Sequence, residues 1–142
     1  VEAFLAYERQ TGRGEAFSEA PYVLVEAKNW VKGSRVPEVM YCSAERLKAY
    51  REQVPDWKSK PLILVPDLVV EVVSANDRYT DIQSKVEVYQ NDGVNLIWVI
   101  DPHRQKVIVH QGNLQTILSV QDTLSGGEVV PGFEVPVADL FA

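Results

Sequence analysis

The sequence predicts an α/β fold: a mixed β-sheet flanked by helices. The run VPDLVVEVVS at 65–74 is almost continuously apolar and predicts a buried strand over 66–73. RYTDIQSKVEVYQNDG at 78–93 predicts a helix, with Ile82, Val86 and Tyr89 on one face and Gly93 as its stop. NLIWVID at 95–101 is too apolar for a half-exposed strand and predicts a central one. Strand, helix and strand in that order imply parallel pairing through a right-handed crossover.

The other elements follow from local signals. VEAFLAYERQTG reads as the end of a helix, with Gly12 as its stop. Residues 22–27, YVLVEA, alternate as a strand, and RVPEVMYCS at 35–43 predicts another, running through Pro37. SAERLKAYREQV at 43–54 has a Ser cap before helix formers and predicts a short helix or an ordered loop. PDWKSKP is a turn-rich connection, and SAND at 74–77 is a turn with capping residues. DPHRQK is a turn, and VIVHQ at 107–111 is the hairpin partner of the central strand. The tail alternates short strand and turn signals, with GG at 126–127 and PG at 131–132. The strands upstream of the crossover are expected to form an antiparallel meander.

Composition sets the outer limits. At 142 residues the chain supports one domain with a real core and is short for two, so a single domain over 1–142 is expected. It opens on Val1 directly into an amphipathic stretch, and an N-terminal segment is expected to be missing. The net charge of −6 argues against a broad nucleic-acid-binding surface, but leaves room for a small acidic site working through a bound cation. One cysteine, Cys42, cannot form an internal disulfide, which fits a reducing, cytoplasmic compartment. No apolar run reaches the length of a membrane span, and nothing resembles a signal peptide.

Two carboxylates in the opening strand demand an explanation. Asp67 and Glu71 fall on one side of it, yet four residues of strand span roughly 13 Å, so they cannot grip one ion. Asp67 follows Pro66, where a carboxylate caps a turn or meets solvent. Glu71 lies between Val70 and Val72, where an unpaired charge costs several kcal/mol. It needs a lysine, an arginine or a metal, and a buried ion pair serves as well as a catalytic role. Lys85, between Ile82 and Val86, can reach back toward the strand; the plainer reading pairs it with Asp81 in solvent. Glu38 follows Pro37 in the preceding strand. If that strand lies beside 66–73, Glu38 and Glu71 converge on one hard cation, Mg²⁺ or Mn²⁺. A lysine beside them positions water and stabilises a phosphate's developing charge, the constellation for phosphodiester hydrolysis.

The remaining candidates are weaker. His103 and His110 lack metal-ligand spacing and read as surface or edge residues. Cys42 reads as buried and inert, Trp98 and Tyr89 as core, and Asp101 before Pro102 as a turn residue. The GG and PG pairs show no phosphate-loop pattern.

PDLVVEVVS, a Lys-bearing helix ending in NDGV, LIWVIDP and the tail LSGGEVVPGFEVPVADLF together resemble a restriction-endonuclease family common in cyanobacteria. That family, long labelled a domain of unknown function, belongs to the PD-(D/E)XK nuclease superfamily. The resemblance runs from about residue 10 to the end and rests on the ordered string of segments.

The resemblance implies a restriction-endonuclease-like fold, Mg²⁺ or Mn²⁺ as cofactor, and DNA as substrate. It places the metal-binding acid of the second core strand on Glu38, in VPEV, where the family usually has Pro-Asp. It places the third-strand acid on Glu71. The usual lysine position two residues later is Val73 here, so the resemblance points to variants with the lysine on the following helix, Lys85. Asp67 becomes a residue at the margin of the site. Glu8 and Glu15 are poor stand-ins for the acidic segment that the family carries N-terminally. A homodimer or higher homo-oligomer is expected, because duplex cleavage must reach both strands. The alternative is a catalytically degenerate nuclease fold that serves as an interaction or oligomerisation module, a reading that the Glu38 replacement favours.

Overall fold

The computed structural model describes residues 7, 9–27, 30–60 and 62–142, with side chains for all of these except 25–27 and 30–34. Contacts group into two compact units, Val1–Asp67 and Leu68–Ala142. No helix among the described residues is long and apolar enough to cross a membrane.

In the first unit, Tyr7 and residues 9–11 are helical, and the chain leaves the helix at Gly12 with φ +62°. β1 (Gly14–Ser18) pairs antiparallel with β4 (Val39–Ser43), Gly14 opposite Ser43 and Ser18 opposite Val39. Between them in sequence, β2 (Tyr22–Ala27) and β3 (Trp30–Arg35) form a separate antiparallel hairpin. The expected meander is therefore interrupted: β4 returns to β1 across an inserted hairpin. The strand expected over 35–43 also divides, because β3 stops at Arg35 and β4 starts at Val39. Pro37 has no N–H to give a ladder, so Val36–Glu38 is irregular. Glu38 thus precedes the strand on which it was expected.

Helix α1 (Ala44–Gln53) starts where the Ser43 hydroxyl accepts the Arg46 N–H at 3.3 Å, and it buries Leu47 and Tyr50. A 3₁₀ turn, Trp57–Ser59, follows. Arg51 stacks its guanidinium 4.4 Å over the Trp57 ring and bonds both oxygens of Glu15, at 2.7 and 3.4 Å.

The second unit is the crossover that the sequence predicts. β5 (Leu68–Val72) runs parallel to β6 (Leu96–Asp101), joined by α2 (Tyr79–Asp92). Gly93 ends α2 in the left-handed region, φ +100°, which a Cβ would disfavour. β7 (Lys106–Gln111) pairs antiparallel with β6, and β8 (Leu114–Leu118) with β7, giving a mixed sheet. β8 ends the strand order; it carries no charge and exposes Leu114 and Ile117.

Alternation divides this sheet into two faces. Val69, Glu71, Val99, Asp101, Ile108 and His110 share one, against which α2 lays Ile82, Val86 and Tyr89. Leu68, Val70, Trp98 and Val107 share the other, with the Phe133 ring 5.5 Å from Trp98. Phe133 belongs to the closing segment, where β9 (Thr123–Ser125) pairs with β10 (Glu134–Pro136) ahead of the single turn α3 (Val137–Leu140). Leu124, Val130 and Val137 of this segment are fully buried. β5 and β6 are thus covered on both sides, which is why they read as nearly unbroken apolar runs.

Gly14 is required by space. A Cβ there would strike the buried Tyr41 ring and the Cys42 carbonyl. Gly14→Ala is expected to cost about 1–3 kcal/mol, read as a lower urea midpoint at unchanged slope.

Candidate active site

Glu71 is the penultimate residue of β5, on the face turned to α2, and only 3% exposed. The helix supplies its partners from successive turns: Lys85 and Tyr89 are four residues apart and share a face. The Tyr89 hydroxyl donates to Oε1 at 2.5 Å, and the Lys85 ammonium stands 3.9 Å from Oε2. A hydroxyl on a carboxylate is among the stronger hydrogen bonds, and it replaces part of the hydration that burial removes. Lys85 remains about half exposed, so its amine bridges the buried oxygen and solvent. The cation that Glu71 demands is therefore Lys85, rather than Lys85 turning outward to Asp81. Asp77 also feels the Lys85 charge, although its carboxyl lies below the usual range chiefly because the Ser74 N–H donates to it at 2.8 Å.

Tyr89 is the partner of Glu71 that the sequence did not reveal. Read as core, it is buried, yet its hydroxyl is committed to Glu71. The available signal was its place one turn beyond Lys85, beside the apolar stripe: a tyrosine there needs a polar destination for its oxygen.

In the first unit, Glu38 is half-buried just ahead of β4, and its carbonyl accepts the Glu19 N–H at 2.9 Å. Asp67 is committed elsewhere. Its Oδ1 bonds Arg46 at 2.8 Å and its Oδ2 accepts the Ser43 N–H at 2.8 Å, while the same Arg46 nitrogen holds the Val65 carbonyl. These bonds pin the start of α1, a structural task. Glu15 is held by Arg51. Glu8 lies outside the described residues. Cys42 is fully buried, and burial first, then the Asp67 charge, pushes its thiol up to about 12. It stays protonated and unreactive at neutral pH.

Asp101 is a buried turn residue that accepts the N–H groups of His103 and Arg104 and pairs with the Arg104 guanidinium at 3.1 Å. Burial raises its carboxyl, but the Arg104 and His103 bonds outweigh that and hold it low. His103 is exposed, as expected. His110 is not a surface residue: it is 7% exposed, on the face that also carries Glu71. Its strand is central rather than an edge because β8 pairs outside it, and the sequence gives that strand only the weak signal LQTIL.

Among the described residues no three His, Cys, Asp or Glu side chains gather into a metal-holding cluster. Mg²⁺ asks for less: one or two carboxylates, with water and substrate phosphate completing the shell. A glutamate carboxylate is a hard oxygen donor of the kind such an ion takes.

Two outcomes follow from these surroundings. Tyr89→Phe leaves Oε1 of a buried carboxylate short of its donor and should cost about 1–3 kcal/mol in urea denaturation. Burial holds the His110 imidazole below its ordinary value of 6.5. As pH falls through that value the unfolded chain takes up a proton that the folded chain refuses. The stability present above it is therefore lost on the way down to the folded-state value. His110→Phe should flatten the loss of stability as pH falls below 6.5, measured by denaturation at each pH.

Residues 1–138 match the model of the Uma2 family, described as "Putative restriction endonuclease". The fold superposes on the crystal structure of a protein from Anabaena variabilis, described as "a putative nuclease belonging to DUF820", with a TM-score of 0.77. The two are 17% identical, and the match covers 99% of this chain and 75% of that one. This likeness shows the α/β nuclease-like fold. No curated protein matches the chain.

Proposed function

The chain belongs to the Uma2 family, described as "Putative restriction endonuclease", and from that premise we propose that it is a metal-dependent endonuclease hydrolysing DNA phosphodiester bonds. One observation carries the reading: Glu71 lies buried in an apolar strand, bonded to a phenol, with a half-exposed amine 3.9 Å away. A pair serving stability alone gains little when one member sits half in water. The arrangement suits chemistry that needs a dry carboxylate beside a mobile cation.

In this reading Glu38 and Glu71 hold Mg²⁺ or Mn²⁺, which when bound supplies charge stabilisation at the phosphate and a template for attack. The Tyr89 hydroxyl fixes Oε1 of Glu71 and so sets the direction of Oε2. Lys85 uses its solvent-facing freedom to orient the attacking water and to donate to a phosphate oxygen as charge grows on it. Water forms the new P–O bond and releases a proton to solvent, the opposite P–O bond to the sugar breaks, and the departing oxygen takes a proton from solvent. Glu38, one methylene longer than the aspartate usual in the family, still offers a hard oxygen. A homodimer would bring two such sites to the two strands of a duplex.

With Mg²⁺ or Mn²⁺ the protein should nick supercoiled plasmid. Glu71→Gln and Glu38→Gln should abolish this, and Lys85→Met should lower the rate by roughly 10²–10⁴-fold. Glu38→Asp should retain cleavage. Calorimetric titration with Mn²⁺ should show binding that either Gln variant loses. Full activity in Glu71→Gln would overturn the assignment. A folded protein that ignores millimolar Mn²⁺ would point instead to the degenerate interaction module.

A further inference from the structure

Helix α2 has two flanks. Lys85 lies on one side of its buried stripe, and Tyr79 and Gln83 lie on the other. That second flank borders a cavity of about 110 Å³ within the second unit. Ile82 and Val86 wall it from the helix, and Val99 and Ile108 from the sheet. His110 also lines it and is more than nine-tenths buried.

No hydrogen bond to the His110 ring is made among the described residues. Burial keeps the ring neutral at pH 7, so one nitrogen donates and the other accepts. The ring nitrogens are not among the fully buried unpaired atoms, so they open onto the cavity, where an incoming polar group can meet them. The other buried polar group there is committed, because Asp101 already takes the N–H groups of His103 and Arg104. Asp77, at the mouth, accepts from Ser74.

Three constraints define a ligand. It must be flat and largely apolar on its faces, to fit between Val86 and Ile108. It must present a donor or an acceptor at its edge, for His110. It must be about one ring in size, since an apolar cavity of about 150 Å³ holds a single benzene. The mouth adds a fourth. Arg104 has its side chain 71% exposed and bonds Asp101 through one terminal nitrogen, which leaves N–H groups for an anion. Tyr79, 66% exposed, offers an aromatic face.

We propose that this cavity is a binding site for a pyrimidine nucleotide, with the base edge on His110, the ring between Val86 and Ile108, and the phosphate at Arg104. The ligand is either a free mononucleotide or a base turned out of a nucleic-acid strand, which present the same chemistry. The site lies on the other flank of α2 from Lys85 and does not depend on the nuclease reading.

The test needs no cleavage. Ring-nitrogen NMR of the full chain in EDTA follows His110 while thymidine or deoxycytidine monophosphate is added. A saturable His110 shift is expected, with a Kd of about 1 mM or below. Gln83 is exposed, so Gln83→Trp closes the mouth without disturbing the core and should weaken the response at least about tenfold. Oligothymidylate is the second arm. Tighter binding per base than thymidine monophosphate assigns the site to a strand; equal or weaker binding assigns it to the free nucleotide. The proposal is overturned if neither mononucleotide moves His110 at about 10 mM. It is equally overturned if deoxyribose 5-phosphate or deoxyadenosine monophosphate moves it as far, or if Gln83→Trp responds as the parent does.

Discussion

A carboxylate inside a parallel strand pair is the constraint on which the second unit turns. β5 must be apolar to sit between α2 and the closing segment, and Glu71 breaks that rule in the middle of the run. Little water reaches it to compensate, so the helix brings donors to it. Tyr89 and Lys85 are placed by the same turn spacing that places Ile82 and Val86, so packing the apolar stripe and satisfying the acid are one event. Register follows as well. Glu71 faces α2 only if Leu68, Val70 and Trp98 face the Phe133 side, and a slip of one residue would invert every one of them.

The first unit handles its carboxylates differently. Asp67 and Glu15 each have a guanidinium, and the bonds they make are architectural: one pins the start of α1, the other ties β1 to that helix through Arg51. Glu38 sits on a short irregular segment after Pro37, ahead of β4.

What the sequence made legible was whatever a strong period or a stop residue writes locally. The crossover unit was readable because the strands at 66–73 and 95–101 are doubly buried and because Gly93 closes α2. Glu71 announced itself as an anomaly in an apolar run, and Lys85 as the nearest cation. The inserted hairpin was not readable, because β3 reads WVKGSR, with Gly33 and two cations in place of an apolar alternation. The division of 35–43 was hinted at by Pro37 but outvoted by the apolar residues around it. His110 was misread for a non-local reason: its burial depends on β8 and α2, and no feature of VIVHQ encodes either.

β8 has a consequence for the molecule in solution. Among the described residues no strand pairs with its outer edge, it has neither lysine nor proline to discourage a visitor, and Leu114 and Ile117 are exposed on it. The net charge of −6 sets long-range repulsion against contact at that border, and no side chain of β8 adds a local guard. Colloidal behaviour is thereby tied to ionic strength: salt that screens the repulsion removes the barrier and leaves the adhesive margin intact.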